Sequence, residues 1–225
     1  MIDILTEYDI LGAFWKTIQL AFFSAIGSLV LGTILAVFRV SPVAVLRNIG
    51  ASYVNITRNT PLTLILIFCS LALFGVLGYA LAPRESPTYI VDNAFRWAVI
   101  GLSIYHAAFV CEALRSGVNT VPVGQAEAAR AIGLTFGQSL SQVILPQAFR
   151  GAIAPLGSVL IALIKNTTVA AIISVPEAAA LMRVIIENET GSLIVFFIFA
   201  LGFVILTLPV GIGFTSLSRR LAVKR

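Results

Sequence analysis

Five long, nearly uninterrupted apolar runs dominate this chain: about residues 18–38, 54–82 (clearest over 62–82), 97–114, 153–175 and 193–214. An α-helix rises about 1.5 Å per residue, so roughly 20 apolar residues cross the hydrocarbon core of a bilayer. The runs are near that length. A soluble fold has no place for so much apolar surface. Of 225 residues, 59% are hydrophobic and 11% charged, against about 25% charged in an ordinary soluble domain. A soluble enzyme, a disordered chain and a disulfide scaffold are excluded. The expectation is an all-α integral membrane protein with five transmembrane helices, its 225 residues forming one transmembrane domain.

The charges orient these spans. An odd number of crossings puts the termini on opposite sides. One set of connecting segments holds Arg39, Arg47, Arg115, Arg130, Arg150, Arg219, Arg220, Lys224 and Arg225 against the single acid Glu127. The other holds Asp3, Glu7, Asp9, Glu85, Asp92, Glu177, Glu187 and Glu189 against Lys16, Arg84, Arg96 and Arg183. Lys and Arg concentrate on the cytoplasmic side, so the N-terminus is expected outside and the C-terminus in the cytoplasm. The net charge of +5 reports this orientation rather than nucleic-acid binding. The acidic start lacks the basic region of a secretory signal, so the first run is expected to stay in the mature protein. Cys69 and Cys111 lie in apolar runs and read as buried thiols, with a cross-link between them left open. Ser24, Ser28 and Gly32, spaced four apart, fit a close helix–helix contact; small residues are also common in membrane helices without one.

The longest cytoplasmic connection is then residues 116–150. Within it, residues 124–147 read GQAEAARAIGLTFGQSLSQVILPQ. An Ala-rich stretch with Glu and Arg favours a helix, Gly133 suits a left-handed helix end, and Thr135 suits the cap of a second helix. Pro146 is expected to interrupt that second helix. Such a hairpin is too short to fold alone and is suited to dock in a partner's groove. No GxxxxGK[ST] phosphate loop occurs in the sequence. Active transport would therefore draw energy from an ion gradient or from another subunit.

Ionisable residues within spans are costly and usually functional or paired. Arg58 lies in RNTP, where Pro61 removes a helical donor and disfavours helix at Thr60. The second span is expected to be broken or kinked there. Arg58 then faces a cavity, or snorkels to the cytoplasmic surface. Lys165 lies in KNTT, a polar interruption of the fourth run. It reads as a cavity group or as the ion-pair partner of Glu112. Glu112 is placed to pair with Arg115 three residues on, or to accept a ligand's ammonium. His106 is the only histidine and reads as a packed, hydrogen-bonded group without metal partners. Two cations and one carboxylate around a central cavity suit a zwitterion, with Arg58 or Lys165 taking its carboxylate.

These residues carry a family resemblance. Glu127-Ala128-Ala129, three residues, Gly133, nine residues, Val143, one residue and Leu145-Pro146 resemble the EAA loop of ABC-importer permeases, with Val143 where that family has Ile. RNTP resembles the RGTP element of the polar amino-acid permeases, with Asn59 in place of Gly. YHAAFVCEALRSG resembles their third-span element through Tyr105, Glu112, Arg115 and Gly117. KNTT resembles their Lys-Asp/Asn-Thr/Ser element, and FWKTIQLAFFS the entry to their first span. Within that family, RVSPV, RNTPLTL, SGVNTVPVGQAEAAR and RLAVK are most similar to actinobacterial glutamate-uptake permeases.

The resemblance implies a type I ABC-importer permease fold and the import of a polar amino acid, most of all glutamate. Arg58, Thr60, Glu112, Lys165, Asn166 and Thr167 would line the substrate pocket. Glu127, Ala128, Ala129, Gly133, Leu145 and Pro146 would couple to an ATPase: Glu127 on its surface, Ala129 allowing close approach, Gly133 making the turn. The implied partners are an ATP-binding subunit dimer, a second permease (a different chain is favoured over a second copy) and an extracellular solute-binding protein. ATP and Mg would be used by the partner, with no cofactor on this chain. The alternatives are an ion-coupled transporter or channel, whose only relay material is Glu112 and His106, and a non-transporting scaffold, which leaves Arg58 and Lys165 without a role.

Overall fold

In the computed structural model, residues 7–188 and 192–221 are described, and every regular element among them is helical. Helix α1 spans Ile10–Val40 and α2 spans Ala44–Asn59. Helix α3, Leu62–Ile67, widens into a π-type stretch over Phe68–Val76. Helix α4 spans Tyr89–Val118 and α5 spans Val123–Ala131. Helix α6, Leu145–Asn166, continues as a tighter 3-10 segment over Thr167–Ile173. The last two are α7, Ala178–Asn188, and α8, Ser192–Leu221. The helix boundaries differ from the expected ones by several residues, because amphipathic ends extend each helix beyond its purely apolar run.

Among the described residues four single helices, α1, α4, α8 and the continuous stretch Phe136–Ile173, are long and apolar enough to cross a bilayer. The direction of packing supplies a fifth crossing. Lys16 of α1 lies over the ring of Phe95, and Arg39 lies beside Glu112. Helices α1 and α4 therefore run parallel. Two parallel spans require the chain to cross back between them, so α2 and α3 together make the return. They are bent by 101°. The bend falls at Thr60-Pro61, as the sequence predicts. It is too sharp for a kinked rod: α2, expected to join the second span only from residue 54, is a separate helix set at a steep angle to α3. Asn59, which stands in place of the Gly of the RGTP element that RNTP resembles, is the last residue of α2 and needs no glycine conformation.

Helix α4 is the axis of the molecule. In its apolar window 67% is buried, against 39% in α1 and 11% in α8. Small residues set its contacts. Ser24 and Ser28 are buried. A Cβ on Gly32 would lie 2.6 Å from Val110 Cβ and 2.9 Å from the Ala107 carbonyl oxygen. Close backbone approach through small residues replaces the hydrophobic drive that lipid does not supply. On its other side, Gly117 meets the backbone of Ala148 and Ala152 and the earlier His106 meets the later Asn166, so α6 runs antiparallel to α4. Cys69 and Cys111 are free and buried in this packing.

Polar side chains close the end where α1 and α4 begin. The Asn93 carboxamide oxygen, fully buried, accepts from the N–H groups of Leu81 and Ala82. Its amide donates to the Tyr89 carbonyl, and Trp97 Nε1 donates to that of Tyr79. Glu177, also fully buried, accepts from the N–H groups of Ala179 and Ala180 at the start of α7. Thr17 Oγ1 accepts from the Ala178 N–H, tying α7 to α1. The opposite end collects cations: Arg39 and Arg115 at the ends of α1 and α4, Arg150 near the start of α6, Arg219 and Arg220 at the end of α8.

Gly32→Val should lower stability by about 1–3 kcal/mol, since overpacking a closed contact forces helices apart. Ile26→Val, on a half-exposed position of the same helix, should change little. Thermal melts of the purified protein in detergent compare the two; equal melting temperatures would remove the close contact from the account.

Candidate functional site

A groove of about 350 Å³ opens between α4 and α6 near the middle of α4. Tyr105, His106 and Phe109 line one wall; Ser158, Val159, Ala162 and Asn166 line the other. The two walls are joined by a hydrogen bond, 3.2 Å, between Asn166 Nδ2 and His106 Nε2. His106 Nδ1 lies 3.0 Å from the Leu102 carbonyl oxygen. The aromatic rings of Tyr105 and Phe109 pack 5.1 Å apart, centroid to centroid. Arg58, at the C-terminal end of α2, places its guanidinium 5.8 Å from the Phe109 ring centre. A cation there is favoured by the ring face and by the last carbonyls of the helix.

The six expected pocket residues divide. Asn166 lines the groove and Arg58 stands against its Phe109 wall. Lys165 is exposed on the neighbouring position of α6. Thr60 is half-buried, and its hydroxyl donates back to the Ile56 carbonyl. Thr167 is fully buried, and its hydroxyl donates to the Ile164 carbonyl of its own helix. The Oε2 of Glu112 lies 2.8 Å from Arg115 Nη2 and its Oε1 lies 3.1 Å from Arg39 Nη1. Both carboxylate oxygens are engaged by cations, so the pairing with Arg115 holds, with Arg39 as an unforeseen second partner, and Lys165 pairs with neither. Arg39 reaches this point past Gly50, where a Cβ would lie 3.1 Å from Arg39 Cγ.

Tyr105, Phe109 and Ser158 enter the groove without having been singled out as pocket groups. The signal for the α6 wall was present: Ser158, Ala162 and Asn166 recur every four residues, one face of a helix.

The hairpin over residues 123–147 is the second candidate region. Helix α5 ends at Ala131, and Gly133 two residues on has φ +86°. The Gly133 N–H donates to Arg130 and the Leu134 N–H donates to Ala129, closing the helix end. Thr135 caps the next turn in a reciprocal box with Gln138. Pro146 does not interrupt the helix that follows. Ser139–Ile144 winds as a wider π-type turn, and Pro146 falls in the first turn of α6, where its missing N–H costs little. Glu127, Ala128, Gly133 and Pro146 are exposed and Leu145 is half-buried. Ala129, expected to allow close approach to a partner, is buried. The exposed apolar groups are Val123, Ile132 and Phe136, at 72%, 78% and 47%.

Residues 28–223 match the family described as "Binding-protein-dependent transport system inner membrane component". The chain belongs to that family. It is a multi-pass protein of the plasma membrane. It is 57% identical to the glutamate transport system permease protein GluC of Corynebacterium glutamicum over 96% of both chains. It is 34% identical to the probable glutamine ABC transporter permease protein GlnM of Bacillus subtilis, over 92% of this chain and 91% of that one. Among solved structures it is similar to an amino acid ABC transporter crystallised with histidines. That match has a TM-score of 0.77 and 25% identity, covering 94% of this chain and 93% of that one. A methionine ABC transporter, MetNI, shares the fold at a TM-score of 0.73 and 20% identity, covering 95% and 96%.

Glu112→Gln should lower stability by about 1–3 kcal/mol by leaving two partly buried cations unbridged. Arg39→Gln combined with it should cost less than the sum of the single changes. Melts of the three variants in detergent form the test; strict additivity would mean that Arg39 and Glu112 do not interact.

Proposed function

We propose that this chain is the permease subunit of an ATP-driven importer that carries glutamate across the plasma membrane. The observation that carries this reading is its 57% identity to a glutamate permease along 96% of both chains. The groove supports it chemically. Asn166 offers a carboxamide, Phe109 and Tyr105 an apolar wall, and Arg58 and Lys165 the positive charge that a dicarboxylic amino acid needs. Arg58 and Lys165 are solvent-accessible in the single chain, which suits a passage completed by a second permease, a different chain by preference. The cation-rich end of the bundle is the cytoplasmic one, so an extracellular solute-binding protein delivers substrate at the end pinned by Asn93 and Glu177.

The hairpin around Gly133 docks on an ATP-binding subunit, which binds and hydrolyses ATP with Mg. Val123, Ile132 and Phe136 supply the apolar contact and Glu127 a charged rim. An ion-coupled route has little to work with: Glu112 is held by two arginines, and both ring nitrogens of His106 have partners.

Gly133→Asp should abolish both co-purification of the ATPase and glutamate uptake while membrane insertion is kept. Wild-type uptake by a well-inserted variant would remove the hairpin from coupling. Lys165→Ala should retain the ATPase and lose about tenfold or more in uptake, the scale of one charge-assisted bond. Undiminished uptake would exclude Lys165 from the pocket.

A further inference from the structure

His106 is 1% exposed at the centre of the bundle, and its two partners fix its chemistry. The Leu102 carbonyl can only accept, so Nδ1, 3.0 Å away, carries the ring proton. Nε2 is then a bare lone pair, and it accepts from Asn166 Nδ2 at 3.2 Å. That contact fixes which way round the Asn166 carboxamide sits. With its nitrogen turned to the histidine, its carbonyl oxygen is left over on a residue that lines the groove. Among the described residues that oxygen has no partner.

We propose that His106 is a positioning residue for substrate recognition: it holds Asn166 so that the carboxamide oxygen accepts from the α-ammonium group of the transported amino acid. The role rests on the groove being the passage for an amino acid. A freely rotating Asn would present donor and acceptor alike to the ligand. One locked by His106 presents an acceptor only, which selects an ammonium, a donor, over the keto oxygen of a 2-oxo acid of the same skeleton. Arg58, beside Phe109, is placed to take a carboxylate.

Three substitutions separate this from a merely packed histidine. H106L removes both bonds. H106N keeps the bond to the Leu102 carbonyl, in the way Asn93 bonds Tyr89 and Asn59 bonds Asn55 four residues back, but is too short to reach Asn166. H106Q supplies a donor to Leu102 and an acceptor to Asn166 from one amide. The measurement is equilibrium binding of radiolabelled L-glutamate to the complete importer in detergent, without its solute-binding protein, against competition by 2-oxoglutarate. Recovery of the assembled complex monitors folding, and where H106L fails to assemble, H106N and H106Q decide.

H106N and H106L should weaken glutamate binding about tenfold, the scale of one lost oriented hydrogen bond in a desolvated site. The affinity for 2-oxoglutarate should change little, and H106Q should return glutamate binding to within about threefold of wild type. A wild-type preference for glutamate in H106N, or a loss in H106Q as large as in H106N, overturns the positioning role. N166A distinguishes the levels. If N166A loses glutamate while H106N does not, only the role of His106 falls. If N166A binds glutamate normally, Asn166 is not a recognition group, and the reading of the groove falls with it.

Discussion

The close approach of α1 to α4 is the contact on which the rest of the structure depends. Lipid chains are as apolar as the side chains they would replace, so burying Leu or Ile gives little drive for two spans to meet. What holds them is backbone proximity, available only where side chains are small. Ser24, Ser28 and Gly32 supply it on α1, with Ala107 and Val110 across the seam. Because the two helices run parallel, this contact also dictates the rest of the path. The chain must return between them, and the sharp turn at Pro61 makes the return.

Helix α4, held this way, places both functional regions on one rigid element. Its middle carries Tyr105, His106 and Phe109 on the groove. Its end carries Glu112 and Arg115, clamped to Arg39, and then Gly117 against α6. The hairpin that follows is tied to the membrane bundle at both ends, by α4 before it and α6 after it. A push on the hairpin therefore reaches the two helices that form the groove walls, and α4 and α6 are themselves bridged across the groove by His106 and Asn166.

Much of this was legible in the sequence because membrane constraints are local. The five crossings follow from apolar run length, the break at Thr60-Pro61 from the missing donor, and the turn at Gly133 from its place after an Ala-rich helix. What was not legible depended on partners far apart in sequence. Nothing near Glu112 announces Arg39, whose stem must first pass Gly50. Thr167 looked like a pocket hydroxyl because KNTT reads as one polar cluster; a helix separates neighbouring residues by about 100°, and Thr167 turns inward while Asn166 lines the groove. Pro146 looked like a helix breaker because a preceding π-type turn, which lets a helix absorb a proline, has no sequence signature of its own. The packed state of His106 was expected. Its grip on Asn166 required knowing that α6 runs antiparallel to α4 at that level.

The most direct measurement reconstitutes the purified permease, its ATPase and the solute-binding protein in liposomes and follows radiolabelled glutamate. The account predicts uptake that requires ATP and the binding protein together, and that persists when ion gradients are collapsed. Uptake that follows an imposed ion gradient in the absence of ATP would contradict it.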